Sequence, residues 1–290
     1  MAYLEGGDTN DRVALFWMGP DGKTKPLRAS LAGYLNPRFS SDGRRIAFEI
    51  ANGPYDVWVY EWERDTTLRL TSDPGQDGHP AWTPDGKRIA FSSQRGDKST
   101  SNLWWQRADG ADEPQRLTES KNPQTYMSWH PSGKFLAFEE TQLQTALDIM
   151  ILPMSGDEST GWNPGKPTEF LGGSGQQYAP AFSPDGRWLA YTSTESTQDE
   201  VYVRPFPGPG SKWQISTTGG MFPTWSKNGK ELFYRTLDSR IMVASFDLRP
   251  DGQRFAVLKT PDFSAETKLD TVTLIFNFFD ELRQIAPPDP

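Results

Sequence analysis

Cysteine is absent from the 290 residues, and histidine occurs only as His79 and His130. The first absence removes a disulfide framework, a thiolate nucleophile and a zinc–thiolate site, and it fits either redox compartment. The second leaves no histidine pair at metal-ligand spacing. No apolar run approaches the length of a membrane span, and Met1 to Asn10 lacks the basic and apolar regions of a secretory signal. A soluble chain without membrane insertion is expected, and its compartment, cytoplasmic or extracytoplasmic, stays open. Basic clusters are also missing: Lys and Arg total 30 against 38 Asp and Glu, a net charge of -8, so no nucleic-acid partner is expected. A Gly-rich phosphate loop, the His-Arg-Asp and Asp-Phe-Gly motifs of kinases and a Gly-x-Ser-x-Gly elbow do not occur.

What the chain does contain is a repeated hairpin. It reads Phe39-Ser-Ser-Asp42-Gly43, Trp82-Thr-Pro-Asp85-Gly86, Trp129-His-Pro-Ser132-Gly133, Phe182-Ser-Pro-Asp185-Gly186 and Trp225-Ser-Lys-Asn228-Gly229. Successive hairpins lie 43, 47, 53 and 43 residues apart. In each, a Gly takes the positive φ of a tight turn between antiparallel strands. Between hairpins the chain holds two further short β-type runs, best seen from Tyr178 to Gly220. Four strands, here a to d, in a period of roughly 40 to 50 residues are the signature of a propeller blade. The aromatic before each hairpin is a core residue, so Trp82, Trp129, Phe182 and Trp225 are expected to be buried between blades. Dispersed Gly (26) and Pro (24) and 13% aromatics suit such an all-β chain.

The chain starts inside a blade, with Ala2 to Glu5 like a b strand, Val13 to Met18 like c and Lys25 to Arg28 like d. One domain over 1–290 is expected, a six-bladed propeller whose sixth blade joins these strands to the C-terminal hairpin around Asp251. Seven blades are the alternative, if Ala2 to Glu5 and Val272 to Phe276 seed a blade of their own. Asn277 to Ile285 reads as a short helix with Asn277 as its N-cap.

The (Phe or Trp)-Ser-Pro-Asp-Gly-(Lys or Arg) hairpin, followed by a c strand of the Asp-Ile-Trp-Val type, resembles the TolB-like propeller family. Glu200-Val-Tyr-Val-Arg-Pro-Phe-Pro-Gly208, Lys212-Trp-Gln-Ile-Ser216, Gly219-Gly220 and Asn277-Phe-Phe-Asp-Glu-Leu-Arg283 resemble the propeller regions that bacterial Ser/Thr protein kinases carry C-terminal to the kinase domain, and stand-alone relatives. The interval of 23 residues from Asn228 to Asp251 is shorter than that resemblance implies. The resemblance implies a bacterial protein, a channel that admits a Ca²⁺ or Mg²⁺ ion, and relatives linked to a kinase.

A propeller gathers equivalent positions of every blade at one mouth of its channel. The residues just before the a strands are Asn36, His79, Tyr126, Ala179 and Phe222, and the b-to-c loops are expected to add Glu49, Arg95, Asp97, Glu139, Glu140, Glu195, Asp199 and Asp238. These residues differ from blade to blade, as a specialised surface does and as solvated loops also do. Asn36, His79, Arg95, Tyr126 and Glu139 are the candidate ligand-binding set. His130 occupies a turn position at the opposite end of its blade. Asp56, Asn102, Asp148 and Glu200 open the c strands and recur once per blade, which marks a structural hydrogen bond rather than a catalytic group. The function expected is a non-catalytic module binding a protein or small ligand. A metal-assisted hydrolase or lyase working with His79 and the rim carboxylates is the alternative.

Overall fold

In the computed structural model the described residues are 2–4, 13–18, 24–51, 53–96, 100–208, 210–238, 240–248 and 255–259. Their regular secondary structure is antiparallel sheet. A three-stranded N-terminal sheet contains β1 (Ala2–Leu4), β2 (Val13–Met18) and β3 (Thr24–Ala32). The first blade is β4 (Tyr34–Phe39), β5 (Arg45–Ala51), β6 (Tyr55–Glu61) and β7 (Thr66–Arg69), and the second is β8 (Asp77–Trp82), β9 (Arg88–Ser93), β10 (Asn102–Arg107) and β11 (Gln115–Arg116). The third holds β12 (Gln124–Trp129), β13 (Phe135–Gln142), β14 (Ala146–Asp157), β15 (Gly161–Pro164) and β16 (Thr168–Leu171). The fourth is β17 (Gln177–Phe182), β18 (Trp188–Ser193), β19 (Glu200–Pro205) and β20 (Trp213–Gln214). The fifth is β21 (Met221–Trp225), β22 (Glu231–Arg235), β23 (Ile241–Leu248) and β24 (Phe255–Lys259).

Five blades therefore replace the six, or seven, expected from the sequence. The overturning observation is the pairing of β24 with β23, from Ala244 opposite Lys259 to Leu248 opposite Phe255. These residues supply the fourth strand of the fifth blade, not the missing strand of the N-terminal sheet. Asp251-Gly252 thus falls between strands c and d of the fifth blade rather than in another a-to-b hairpin, which is why it follows Asn228 by only 23 residues. The N-terminal sheet stays three-stranded among the described residues and packs on the first blade. Leu15 is buried there with Tyr34, Ile46, Phe48 and Tyr60, and Trp17 stacks on Phe39. The strand expected at Val272 to Phe276 and the helix at Asn277 to Ile285 lie outside the described residues.

Each blade is built by the same local rules. The hairpin glycines Gly43, Gly86, Gly133, Gly186 and Gly229 all have φ between 67° and 73°. A side-chain hydroxyl at the turn start donates to the turn acid or amide, as Ser40 to Asp42, Thr83 to Asp85, Ser183 to Asp185 and Ser226 to Asn228. His130 takes the same place, its Nδ1 bonded to Ser132 Oγ at 2.7 Å. Strand b is buried on both faces, from Ile46 to Glu49 and throughout Arg88 to Ser93 and Trp188 to Ser193. That pattern belongs to layers stacked face to face. Trp82, Trp129 and Phe182 are buried between blades, whereas Trp225 is half-buried. The indoles of Trp82 and Trp225 donate to main-chain carbonyls of the preceding blade, Arg38 and Ala181. The residues opening the c strands are structural: Asp56 accepts from Arg69, Asn102 bonds Ser120, and Glu200 accepts from Gly219 N.

Candidate functional site

The a strands β4, β8, β12, β17 and β21 stand beside one another in that order. Each carries a bulge at the same place, where the register to strand b slips: Leu35/Arg38, Gly78/Ala81, Thr125/Met127, Tyr178/Ala181 and Met221/Thr224. The residue inside each bulge has positive φ: Asn36 at 49°, His79 at 53°, Tyr126 at 32°, Ala179 at 51° and Phe222 at 55°. These are the five positions that the repeat assigns to the channel mouth. Non-glycine residues in the left-handed region carry strain, of order 1 kcal/mol or more each. None of the five is Gly.

Strand b of each blade holds the bulge of the next. Glu49 Oε1 accepts from the backbone N–H of His79 at 2.6 Å and from Asn36 Nδ2 at 2.7 Å. Ser92 donates to the Gln124 carbonyl at 2.6 Å, Glu139 accepts from Ala179 N, and Thr192 Oγ1 accepts from Phe222 N at 3.1 Å. Glu49, Glu139 and Glu140 were expected in rim loops, but they lie within β5 and β13 and are buried. They take the strand-b positions that Ser92 and Thr192 (for Glu49 and Glu139) and Ser193 (for Glu140) hold in β9 and β18, which makes these acids braces in the sheet rather than loop residues. The carboxyl of Glu139 also accepts from Thr125 Oγ1 at 3.1 Å, and desolvation pushes its pKa up to about 7.

The bulge side chains meet. The His79 ring lies 4.3 Å from Tyr126, and Tyr126 reaches Phe222 at 5.8 Å, past the small Ala179 between them. Tyr178 packs edge-on against Phe222 and donates its hydroxyl to Asp199 Oδ1 at 2.7 Å. Arg235 sits over the Phe222 ring at 5.0 Å. Burial lowers the His79 pKa, with Arg38 adding to that and Glu49 opposing it. Burial raises that of Tyr126, helped by Glu139 and Glu49 and opposed by Arg38 and Arg235. The Arg38 side chain is exposed to solvent, and the protein around it pushes its pKa down, against the opposing pull of Tyr126 and Glu49. Neither Arg38 nor Arg235 forms an ion pair with a carboxylate among the described residues.

Asn36, His79, Tyr126 and Glu139 are thus joined in one constellation. Arg95 is bonded elsewhere: its Nη2 donates to the buried Asp77 at 2.8 Å, its Nε to Ser93 Oγ at 2.8 Å, and its guanidinium lies over Phe91 and Trp104. Asp97 lies outside the described residues. Arg38 and Arg235 were not singled out from the sequence. For Arg235 the signal was available, because it follows the strand-b aromatic as Glu49, Ser92, Glu139 and Thr192 do. Among the described residues no group of three or more His, Asp or Glu converges as a cation would require.

Strained, chemically diverse bulges around the inner strands of stacked four-stranded sheets define a β-propeller with a built channel mouth. The fold is that of a TolB-like β-propeller, and residues 20–163, just under half of the chain, match the TolB beta propeller domain. An uncharacterized protein of Agrobacterium fabrum, Atu1656, is 28% identical over 159 residues, 53% of this chain and 52% of that protein, so the match spans about half of that relative's length. A TolB-like protein from Agrobacterium tumefaciens superposes with a TM-score of 0.66 at 19% identity, over 86% of this chain and 88% of the other. TolB from Acinetobacter baumannii gives 0.56 at 19% identity, over 89% and 68%. Both structures share the fold.

Proposed function

We propose that the protein is a non-catalytic binding module whose channel mouth recognises a segment of a partner protein that presents a carboxylate. The observation that carries this reading is the ring of five bulges. The backbone there asks for positive φ, which Gly meets without strain, yet the five positions hold Asn36, His79, Tyr126, Ala179 and Phe222. Strain retained in favour of side-chain chemistry is characteristic of binding sites. The aromatic arc from His79 to Phe222 offers an apolar face, and Arg38 and Arg235 offer two cations without carboxylate partners among the described residues. An Arg guanidinium takes a carboxylate in a bidentate, charge-assisted pair. Glu49 and Glu139 hold the bulges in place and act as positioning residues. The likeness of residues 200–220 to propellers carried by bacterial Ser/Thr kinases fits a sensing role of this kind.

The test is a thermal-shift and calorimetric comparison of two random hexapeptide mixtures that differ only at the C-terminus, free acid against amide. The free-acid mixture should raise the melting temperature, the amide mixture should not, and Arg38→Ala should abolish the difference. Equal effects of the two mixtures, or a shift that survives Arg38→Ala together with Arg235→Ala, would refute the carboxylate reading.

A further inference from the structure

The third hairpin interval, 53 residues from Ser132 to Asp185, is the longest of the repeat. The surplus residues form a structure that the other blades lack. β14 runs for 12 residues and, on the edge away from β13, serves two partners: Ile149–Ile151 pair with β16, while Met154–Asp157 continue into a hairpin with β15. Asp157 fixes the tip by accepting from the backbone N–H groups of Ser159 and Thr160, each at 2.8 Å. From that tip Glu158 reaches across to Arg88 of the second blade, at 2.8 Å from Nε. An insertion that breaks an otherwise regular repeat commonly marks a binding face.

Beneath the latched hairpin lies a pocket of about 340 Å³, at the low end of ligand-site volumes. Three indoles line it. Trp105 and Trp129 stack at 5.9 Å and 24°, and Trp162 of the hairpin stands edge-on to Trp105 at 5.7 Å and 79°. Pro84 and Pro131, from the turns of the second and third blades, complete the apolar lining. The polar groups are mostly spent on one another. Arg88 gives Nε and Nη2 to Glu158 and Nη1 to Asp112, and its guanidinium covers Trp105 at 4.9 Å. Glu158 also accepts from Trp162 Nε1 at 3.2 Å. One donor is left over. The indole N–H of Trp129 is buried without an acceptor, although its counterparts Trp82 and Trp225 donate to main-chain carbonyls at 2.9 and 3.0 Å.

We infer that this pocket binds an extended, proline-containing segment of a partner protein, with a proline ring on the Trp129 and Trp162 indoles and a main-chain carbonyl accepting from Trp129. A polyhydroxylated ligand needs several open polar partners, and Arg88 and Glu158 are already satisfied. An anion finds no open cation, since Arg88 is neutralised by two carboxylates. A polyproline II strand brings what the site is short of: flat apolar rings and outward carbonyls without internal partners, at low ordering cost. The Trp129 N–H is shielded from solvent in the ligand-free chain, so the proposed contact requires its indole to turn, and its resonance is the direct reporter of binding.

The experiment uses the whole ¹⁵N-labelled chain, its indole resonances assigned by Trp→Phe changes, titrated with acetyl-hexaproline-amide. The Trp129 and Trp162 indole signals should shift saturably while those of Trp82 and Trp225 stay fixed. Trp162→Ala and, separately, Glu158→Ala, which unlatches the hairpin, should each weaken binding about tenfold or more, a change of roughly 1.4 kcal/mol. His79→Ala, in the channel, should leave it unchanged, which separates this site from the channel reading. Shifts that persist in both hairpin variants, no shift up to millimolar peptide, or saturable binding of cellohexaose in place of the peptide would each overturn the proposal.

Discussion

The two ends of each a strand make the same demand on the backbone and receive opposite answers. At the hairpin end the positive φ is met by glycine five times out of five, within a turn of nearly constant sequence. At the mouth end it is met by Asn36, His79, Tyr126, Ala179 and Phe222, five different residues that all accept strain. Glycine serves where shape alone is needed. Where a side chain is required at the same φ, the strain is carried instead, and strand b of the preceding blade braces it through Glu49, Glu139 or Thr192.

That contrast is broken most severely by removing what fixes the hairpin end to its neighbour. Trp82 is buried and its indole holds the Arg38 carbonyl of the first blade, so Trp82→Ala should cost about 3 to 5 kcal/mol in urea denaturation. A loss below about 1 kcal/mol would mean that the aromatic is not an inter-blade anchor.

Next in size is a pH effect at the mouth. Glu139 is protonated up to about pH 7 in the folded chain, whereas in the unfolded chain it ionises near 4.5. Between these values the folded state binds the extra proton, so the contribution is complete below about 4.5 and is lost as pH rises through about 7. The loss amounts to about 3 kcal/mol as an upper figure. Glu139→Gln should flatten the stability profile over this window, and a variant with the wild-type slope would remove Glu139 as its source.

The hairpin glycines sharpen the comparison further, because they share φ but not surroundings. A Cβ on Gly186 would collide with the His130 ring, whereas one on Gly43 meets nothing within 4 Å. Gly186→Ala should therefore cost more than Gly43→Ala, which pays only for φ, about 1 kcal/mol. In a His130→Ala background the two should become alike. Unchanged inequality there would place the clash elsewhere.

The smallest effect is expected at Ala179. Relieving positive φ at the cost of one methyl, Ala179→Gly should leave stability within about 1 kcal/mol of the parent. A larger loss would show that the bulge is not strained.

Much of this was legible in the sequence because the repeat is local. The Asp-Gly hairpin, the strand order within a blade and the five mouth positions follow from one short motif counted along the chain, but these five residues read as preceding the a strands, whereas they lie inside them, at bulges. The blade number was not legible, because an Asp-Gly turn serves a-to-b and c-to-d connections alike, and only the pairing of Phe255–Lys259 with β23 decides which one Asp251-Gly252 belongs to. The roles of Glu49 and Glu139 were hidden for a related reason. The two acids stand where Ser92 and Thr192 stand in β9 and β18, but a carboxylate near the end of a strand reads as a solvated loop, and its buried acceptor role leaves no mark in the alternation. Arg95 shows the opposite failure: its loop position was read correctly, but a buried Asp77 eighteen residues upstream claims its guanidinium.

The central claim is that the mouth, not the hairpin end, is the binding surface, and the two histidines test it within one chain. With the free-acid hexapeptide mixture as probe, calorimetry should show binding weakened about tenfold or more, roughly 1.4 kcal/mol, in His79→Ala and Tyr126→Ala, with His130→Ala binding as the parent does. Binding that survives the first two changes and falls with the third would contradict the claim and move the functional surface to the opposite face.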